Sequence, residues 1–378
     1  MISRGYRNTD AHPSLLGFGT MRLPRLQSDK PEIDVPRAQE LIDYAYAHGV
    51  NYYDTAYMYH DGLSEEFIGQ ALRKYPRESY FLADKMPAWS MTDQSQVDKI
   101  FQTQLVRCGV SYFDFYLCHG LDRHMLEKFR KFHILDYLKQ KKAEGTIRQL
   151  GFSFHDTPEV LEQILEAYDW DFAQIQLNYF DWIAQNAEKQ YRLLAERGIP
   201  VVVMEPVRGG ALAALCPAAE KLLKAAEPQA SLASWAIRFV ASLPGVMTML
   251  SGMNSAEQVR DNVQLLSDFH PLTADERRTL GQAVDLYRAY LTIPCTGCRY
   301  CMECPSGVEI PTLFRLYNEY KVSHRETDFL TAYKALTEKQ RASACIGCGN
   351  CAQHCPQHID IPAKMKEICA TIEKILND

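Results

Sequence analysis

Eight short apolar runs, separated by longer amphipathic stretches, constrain the fold of this chain more than any other feature. They are LLGFGT (15–20), VNYYDTA (50–56), SYFLADK (79–85), YFDFYLCH (112–119), IRQLGFSF (147–154), FAQIQLN (172–178), IPVVVMEP (199–206) and VMTMLSG (246–252). Near-continuous apolar runs suit strands buried on both faces, as in parallel sheets covered by helices. The stretches between them read as helices. In VPRAQELIDYAYAHG, Pro36 stands near the start and Gly49 just past the end, as helix termini prefer. LSEEFIGQALRKY is a second such pattern. Eight strand-then-helix units in about 275 residues predict the α/β class and a (β/α)8 TIM barrel. An open doubly wound sheet would show fewer strands and a G-x-G-x-x-G turn, which is not found here.

The barrel does not use up the chain. Of 378 residues, those from 291 onward have a different character, which predicts a barrel over 1–290 and a mostly helical domain over 291–378. Nine of the twelve cysteines lie in that tail, eight of them in two tight clusters. The tail also carries a repeat: CPSGVEIP (304–311) and CPQHIDIP (355–362) each close a cysteine run. A helical stretch joins the halves, so two similar half-modules are expected. Cys108, Cys118 and Cys216 stand among apolar neighbours and read as small core residues, and Cys369 as structural.

A net charge of −6 argues against a nucleic-acid partner. The N-terminal MISRGYRNTD has no apolar core of a signal peptide, and no run reaches the roughly 18–20 apolar residues of a membrane helix. The expectation is a cytoplasmic protein, whose cysteines would stay reduced rather than pair as disulfides.

In a barrel of this kind chemistry collects where strands finish. Asp54, Lys85, His119, Ser153, Gln174 and Glu205 stand at such ends. DTAYMY places Tyr59 five residues after Asp54, with Tyr57 as a rival two residues away. Asp54, Tyr59, Lys85 and His119 in this order resemble the catalytic tetrad of the aldo-keto reductases, (β/α)8 enzymes that reduce carbonyls with NADPH. GFGTMRLP, GFS (151–153) and SGMNSAEQVRDN (251–262) resemble that family too. The resemblance implies Tyr59 as general acid, Lys85 as its tuner, Asp54 as partner of Lys85, and His119 orienting the carbonyl. The chemistry is sound: a tyrosine with pKa near 10 donates reluctantly at neutral pH, and a nearby ammonium lowers that value. The same resemblance assigns Ser153 and Gln174 to the nicotinamide carboxamide and Arg208, Gly209 and Gly210 to the pyrophosphate. Asn254, Gln258, Asp261 and Asn262 would surround the adenosine. Phe154 stands where many members have Asn, and Met204 where a tyrosine stacks on nicotinamide. Gly252 and Gln258 replace the Lys and Arg that hold the 2′-phosphate, so the cofactor is NADPH or NADH.

Cys295, Cys298, Cys301 and Cys304 are spaced C-x2-C-x2-C-x2-C-P, and Cys345, Cys348, Cys351 and Cys355 are spaced C-x2-C-x2-C-x3-C-P. The second run resembles that of bacterial ferredoxins, in which the fourth cysteine reaches across to the other of two 4Fe–4S clusters. That resemblance implies one cluster on Cys295, Cys298, Cys301 and Cys355, and another on Cys345, Cys348, Cys351 and Cys304. The long helical linker resembles α-helical ferredoxin domains. A tetrahedral zinc site is the alternative, though two complete four-cysteine runs exceed what one zinc needs.

Two functions follow. In one, the barrel reduces a small carbonyl substrate while the tail handles single electrons, exchanged with a ferredoxin- or flavodoxin-type partner. In the other, the barrel is a nucleotide-binding redox sensor or regulator and the clusters are structural. Residues 291–378 hold 10 Lys+Arg and 10 Asp+Glu, so the tail is not a strongly charged docking face.

Overall fold

A computed structural model describes residues 1–5, 11–27, 30–290 and 292–377. Residues 6–10 of the polar N-terminal stretch, and Leu291 at the expected start of the tail, lie outside these. Each apolar run supplies one strand: β1 (Leu16–Gly19), β2 (Tyr52–Asp54), β3 (Phe81–Met86), β4 (Phe113–Leu121), β5 (Ile147–Phe154), β6 (Phe172–Gln176), β7 (Val201–Met204) and β8 (Val246–Ser251). They pair in sequence order, all parallel, and β8 closes on β1. The predicted barrel is present.

Helix ends follow the sequence signals. Val35–Ala47 starts on Asp34, whose carboxylate accepts from Arg37 N, with Pro36 in its first turn. Gly49, just beyond it, has φ +85°, a left-handed conformation that glycine adopts without penalty.

Side chains inside the barrel form one apolar layer: Tyr52, Ala83, Leu117, Phe172 and Val202 among them. Strand side chains alternate, so the residue two positions on again points inward. Those residues are Asp54, Lys85, His119, Gln174 and Met204. Gly151 fits the same parity, since a Cβ there would lie 2.5 Å from Phe172 O. Ser153 follows it. The polar ring at the C-terminal ends is therefore set by strand register alone.

The chain separates into two compact units: Met1–Val207 with Ala233–Thr273, and Arg208–Leu232 with Ala274–Asp378. The second unit has its own core, built on Val308, Ile310, Leu313, Phe314, Ile361 and Met365 with others. Its half-modules repeat in backbone conformation as well as sequence. Gly297 and Gly347 (φ +65° and +70°), Arg299 and Gly349 (+68° and +77°), and Gly307 and His358 (+74° and +50°) occupy matching places. The helices Ile310–Ser323 and Ile361–Asn377 then begin at the matching Ile-Pro steps. The linker is helical as expected, in two pieces, Ile310–Ser323 and Glu326–Ala335, parted at His324 (φ +53°). Among the described residues, no helix is long and apolar enough to cross a membrane.

Candidate active site

Lys85 lies at the centre of the polar ring. Its ammonium donates to Asp54 Oδ1 at 2.6 Å and to Thr55 O at 2.7 Å. Both Lys85 and Asp54 are buried. Burial pushes the Asp54 carboxyl up, and the Lys85 ammonium pulls it back down. Tyr59 completes the group: Lys85 Nζ is 5.0 Å from the centre of its ring. The rival, Tyr57, is engaged elsewhere, its ring 4.8 Å from the Arg107 guanidinium.

His119 meets Tyr59 edge-on, with ring centres 6.3 Å apart, and packs against Trp89 at 4.5 Å. Burial, followed by the charges of Lys85 and His155, holds the His119 imidazole well below its usual range. It is neutral at neutral pH. Trp89 was not singled out from the sequence. Its position four residues after Lys85, on the turn leaving β3, is the signal that could have found it.

The loop from Asp54 to Gly62 that carries Tyr59 is anchored by a hydroxyl chain. Thr55 Oγ1 lies 2.9 Å from Ser64 Oγ, which donates to Thr20 Oγ1 at 2.7 Å, which donates to Asp54 O at 2.9 Å. These hydroxyls are buried, so the chain satisfies groups that water cannot reach.

Ser153 and Gln174 are register partners on β5 and β6. The Ser153 hydroxyl accepts from Gly120 N at 2.8 Å. Gln174 Nε2 lies 3.6 Å from Met204 Sδ, and its buried Oε1 has no partner among the described residues. Beyond β8, Gln258 folds back so that Oε1 accepts from Asn254 N at 2.8 Å, and Asn262 donates to Ser251 Oγ at 3.1 Å. Asp261 is exposed on the same helix, Ala256–Ser267. Arg22 crosses Gly252, its Cβ 3.1 Å from where a Cβ at Gly252 would stand, and pairs with Glu205 at 3.2 Å. Arg208, Gly209 and Gly210, all at positive φ, belong to the second compact unit, where buried Arg208 donates to Pro294 O at 2.9 Å.

Among the described residues, no three of the clustered cysteines stand close enough together to hold a metal ion as they are placed, but their neighbourhoods differ. Cys304, Cys345, Cys348 and Cys351 line one recess, together with Val308, Ile361 and Met365. Burial raises the Cys351 thiol, and the next influences are Cys304, Cys345 and Cys348. Burial likewise raises Cys301 strongly, followed by Cys298, Cys295 and Cys355. Cys304, the fourth cysteine of the first run, thus lines the same recess as the first three of the second run. Gly297 N points at Cys295 Sγ at 3.3 Å, a donor suited to a thiolate.

The sequence profile of the Aldo/keto reductase family matches residues 15–285, and that of a 4Fe-4S dicluster domain matches 294–359. An uncharacterized oxidoreductase of Bacillus subtilis, YqkF, is 25% identical over 324 residues, covering 77% of this chain and 99% of its own length. The NADH-specific methylglyoxal reductase of Escherichia coli is 25% identical over 303 residues, covering 68% of this chain and 91% of its own. The solved holo form of the aldo-keto reductase AKR11C1 from Bacillus halodurans superposes with a TM-score of 0.60 at 28% identity, covering 75% of this chain and 96% of that one. Because the family match runs through all eight strands and through Asp54, Tyr59, Lys85 and His119, the chain belongs to the aldo/keto reductase family and carries a 4Fe-4S dicluster domain behind its barrel.

Proposed function

We propose that this oxidoreductase reduces an aldehyde or ketone, with Tyr59 donating the proton to the carbonyl oxygen. The observation that carries the reading is the convergence of Asp54 and Tyr59, Lys85, and His119 from three neighbouring strand ends on one spot. A bound nicotinamide supplies the hydride. Lys85, hydrogen-bonded to Asp54, favours the phenolate and so eases release of the tyrosine proton. His119, neutral and braced by Trp89, offers an N–H that orients the carbonyl oxygen without adding charge.

The chain's residues fit the cofactor. The partnerless Gln174 Oε1 can accept from a carboxamide N–H, beside the Ser153 hydroxyl. We read Gly209 and Gly210, with Arg208, as the pyrophosphate segment, because their positive φ leaves backbone N–H groups open to close approach. Asn254, Gln258, Asp261 and Asn262 are read as the adenosine segment. Gly252 and Gln258 bring no cation to the 2′-phosphate corner, which supports acceptance of NADH as well as NADPH.

We read residues 1–290 as the reductase and 291–378 as the cluster-bearing part. Cys295, Cys298, Cys301 and Cys355 hold one 4Fe–4S cluster, and Cys345, Cys348, Cys351 and Cys304 the second. Each bound cluster accepts or gives one electron at a time. The partner class is a one-electron carrier protein of the ferredoxin or flavodoxin type.

Tyr59→Phe tests the reading. Purified variant and parent are compared over aliphatic and aromatic aldehydes and ketones with NADH and with NADPH. The expected loss is about 10²–10⁴-fold in kcat, the range of a general acid. Unchanged turnover would overturn the assignment and favour a barrel that binds nucleotide for regulation.

A further inference from the structure

β2 and β3 end at different heights. β2 stops at Asp54, in register with Ala83, while β3 runs on to Met86. Thr55 N still donates to Ala83 O at 2.9 Å. In a parallel ladder, alternate residues turn both their N–H and C=O to the same neighbour. Ala83 therefore faces β2, and so does Lys85, two residues on. At Lys85 there is no β2 left to pair with. A buried backbone group without a partner is strongly disfavoured, so its place must be taken by something else.

Two side chains take it. Asp84 Oδ1 accepts from Lys85 N at 2.8 Å, and Gln104 Nε2 donates to Lys85 O at 3.0 Å. Both backbone groups of the residue at the centre of the site are thus held from outside the barrel, by side chains rather than a strand. Gln104 is itself fixed, since Nε2 also donates to Glu65 Oε1 at 3.0 Å and Oε1 accepts from Tyr116 Oη. Glu65 Oε2 accepts from Arg107 Nη1 at 2.9 Å. Asp84, Gln104 and Glu65 are all 0% exposed.

Arg107 carries the network to the loop of Tyr59. Its guanidinium lies 4.8 Å from the Tyr57 ring centre, and its Nη1 would be 3.2 Å from a Cβ at Gly62. Tyr57 and Gly62 bracket Tyr59. Between them His60 and Asp61 both have φ +54°, and Gly62 has +90°. Side-chain-bearing residues disfavour that conformation, so contacts from outside the loop must hold it.

We propose that Asp84, Gln104, Glu65 and Arg107 form a positioning network that sets Lys85 against Asp54 at one end and the Tyr59 loop at the other. The proposal rests on the reading of Tyr59 as acid and Lys85 as its tuner. The charges are compatible with it. Burial drives the Asp84 carboxyl well up, with Glu65 adding to the rise, while Arg107 stands as the counter-ion of Glu65. Other ionisable neighbours include the Cys108 thiol, 3.8 Å from Asp84 Oδ2, the Tyr116 phenol, and Glu66 and Tyr57 beside Arg107.

The test uses the full holoprotein and two variants, Gln104→Met, which keeps volume and removes both donors, and Arg107→Lys, at a partly exposed position. Two readouts are taken: the kcat–pH profile, and the tyrosinate absorbance of Tyr59 without substrate, obtained by subtracting the matching Tyr59→Phe protein. The network predicts a loss of roughly 10- to 100-fold in kcat for Gln104→Met, the scale of a misplaced reacting group, with a smaller loss for Arg107→Lys. It also predicts that the Tyr59 titration moves to higher pH, and that KM for the nicotinamide cofactor changes far less than kcat. Folded variants whose Tyr59 titration and kcat profile match the parent would overturn the proposal and leave the network a packing feature. Should Gln104→Met fail to fold, Arg107→Lys decides by the same two readouts. A shifted titration with Tyr59→Phe still fully active would support the positioning and sink the general-acid reading instead.

Discussion

Lys85 and Asp54 face each other at 2.6 Å with neither open to water. A buried pair of this kind is weak evidence for stability, because two desolvation costs offset the attraction. The proposed role of Tyr59 gives the pair another purpose, since an ammonium beside a phenol favours its ionised form. His119 sits close by as a neutral base, and its neutrality has a measurable consequence. Its folded pKa is lowered, so its contribution to stability is complete above the unfolded value of about 6.5 and is lost as pH falls below that. Chemical unfolding of the parent and of His119→Gln should therefore diverge as pH drops from 7 toward 5, with the parent losing more. Parallel curves would mean that His119 protonates without penalty in the folded protein.

At the scale of elements, the repeat in the second unit makes the sharpest prediction. The two half-modules match in three positive-φ positions, and the one-residue difference in spacing is absorbed between the third and fourth cysteines. Cys304 lines the recess of Cys345, Cys348 and Cys351, the cysteines of the opposite run. If the ligands cross, Cys304→Ser and Cys348→Ser damage the same cluster. The double variant should then retain as much iron and sulfide as Cys348→Ser alone. Loss of iron beyond the Cys348→Ser level would show that each run closes its own cluster.

The strands were legible because both their faces are buried, which writes them as unbroken apolar runs, and the polar ring was legible because strand parity repeats every two residues. The network behind Lys85 was not. Glu65 lies in LSEEFIGQALRKY and Gln104 in a helix of mixed polarity, Gln96–Cys108, where such residues usually mark the solvent face. Only Asp84, a carboxylate inside an apolar strand, carried a hint. What made these residues internal is the close approach of their two helices at Gly69, where an added Cβ would stand 2.4 Å from Cys108 O. Periodicity within one helix cannot report a contact of that kind.

For the whole molecule, the two compact units have differently built cores. The first is closed by eight paired strands and an apolar interior that contains none of the eight clustered cysteines. In the second, Cys301 belongs to the core, and Cys295, Cys304, Cys345, Cys351 and Cys355 pack against it. Ligands that are also core residues couple binding to folding. Anaerobic chelation of iron should thus abolish hydrogen-exchange protection in Ile310–Ser323 and Ile361–Asn377, while β1–β8 keep theirs. Retained protection in those helices would show that the second core stands without its clusters.

The second unit is written in two separate pieces of chain, 208–232 and 274–378, with the stretch that bears β8 inserted between them. A gene fragment beginning at the first cysteine would leave 208–232 and 274–294 of that unit behind, while carrying nearly all of its buried core, Ile293 to Ile372. Moving the whole unit onto another barrel would require two splice sites, one on either side of the last strand, and a recipient whose own chain could be interrupted there.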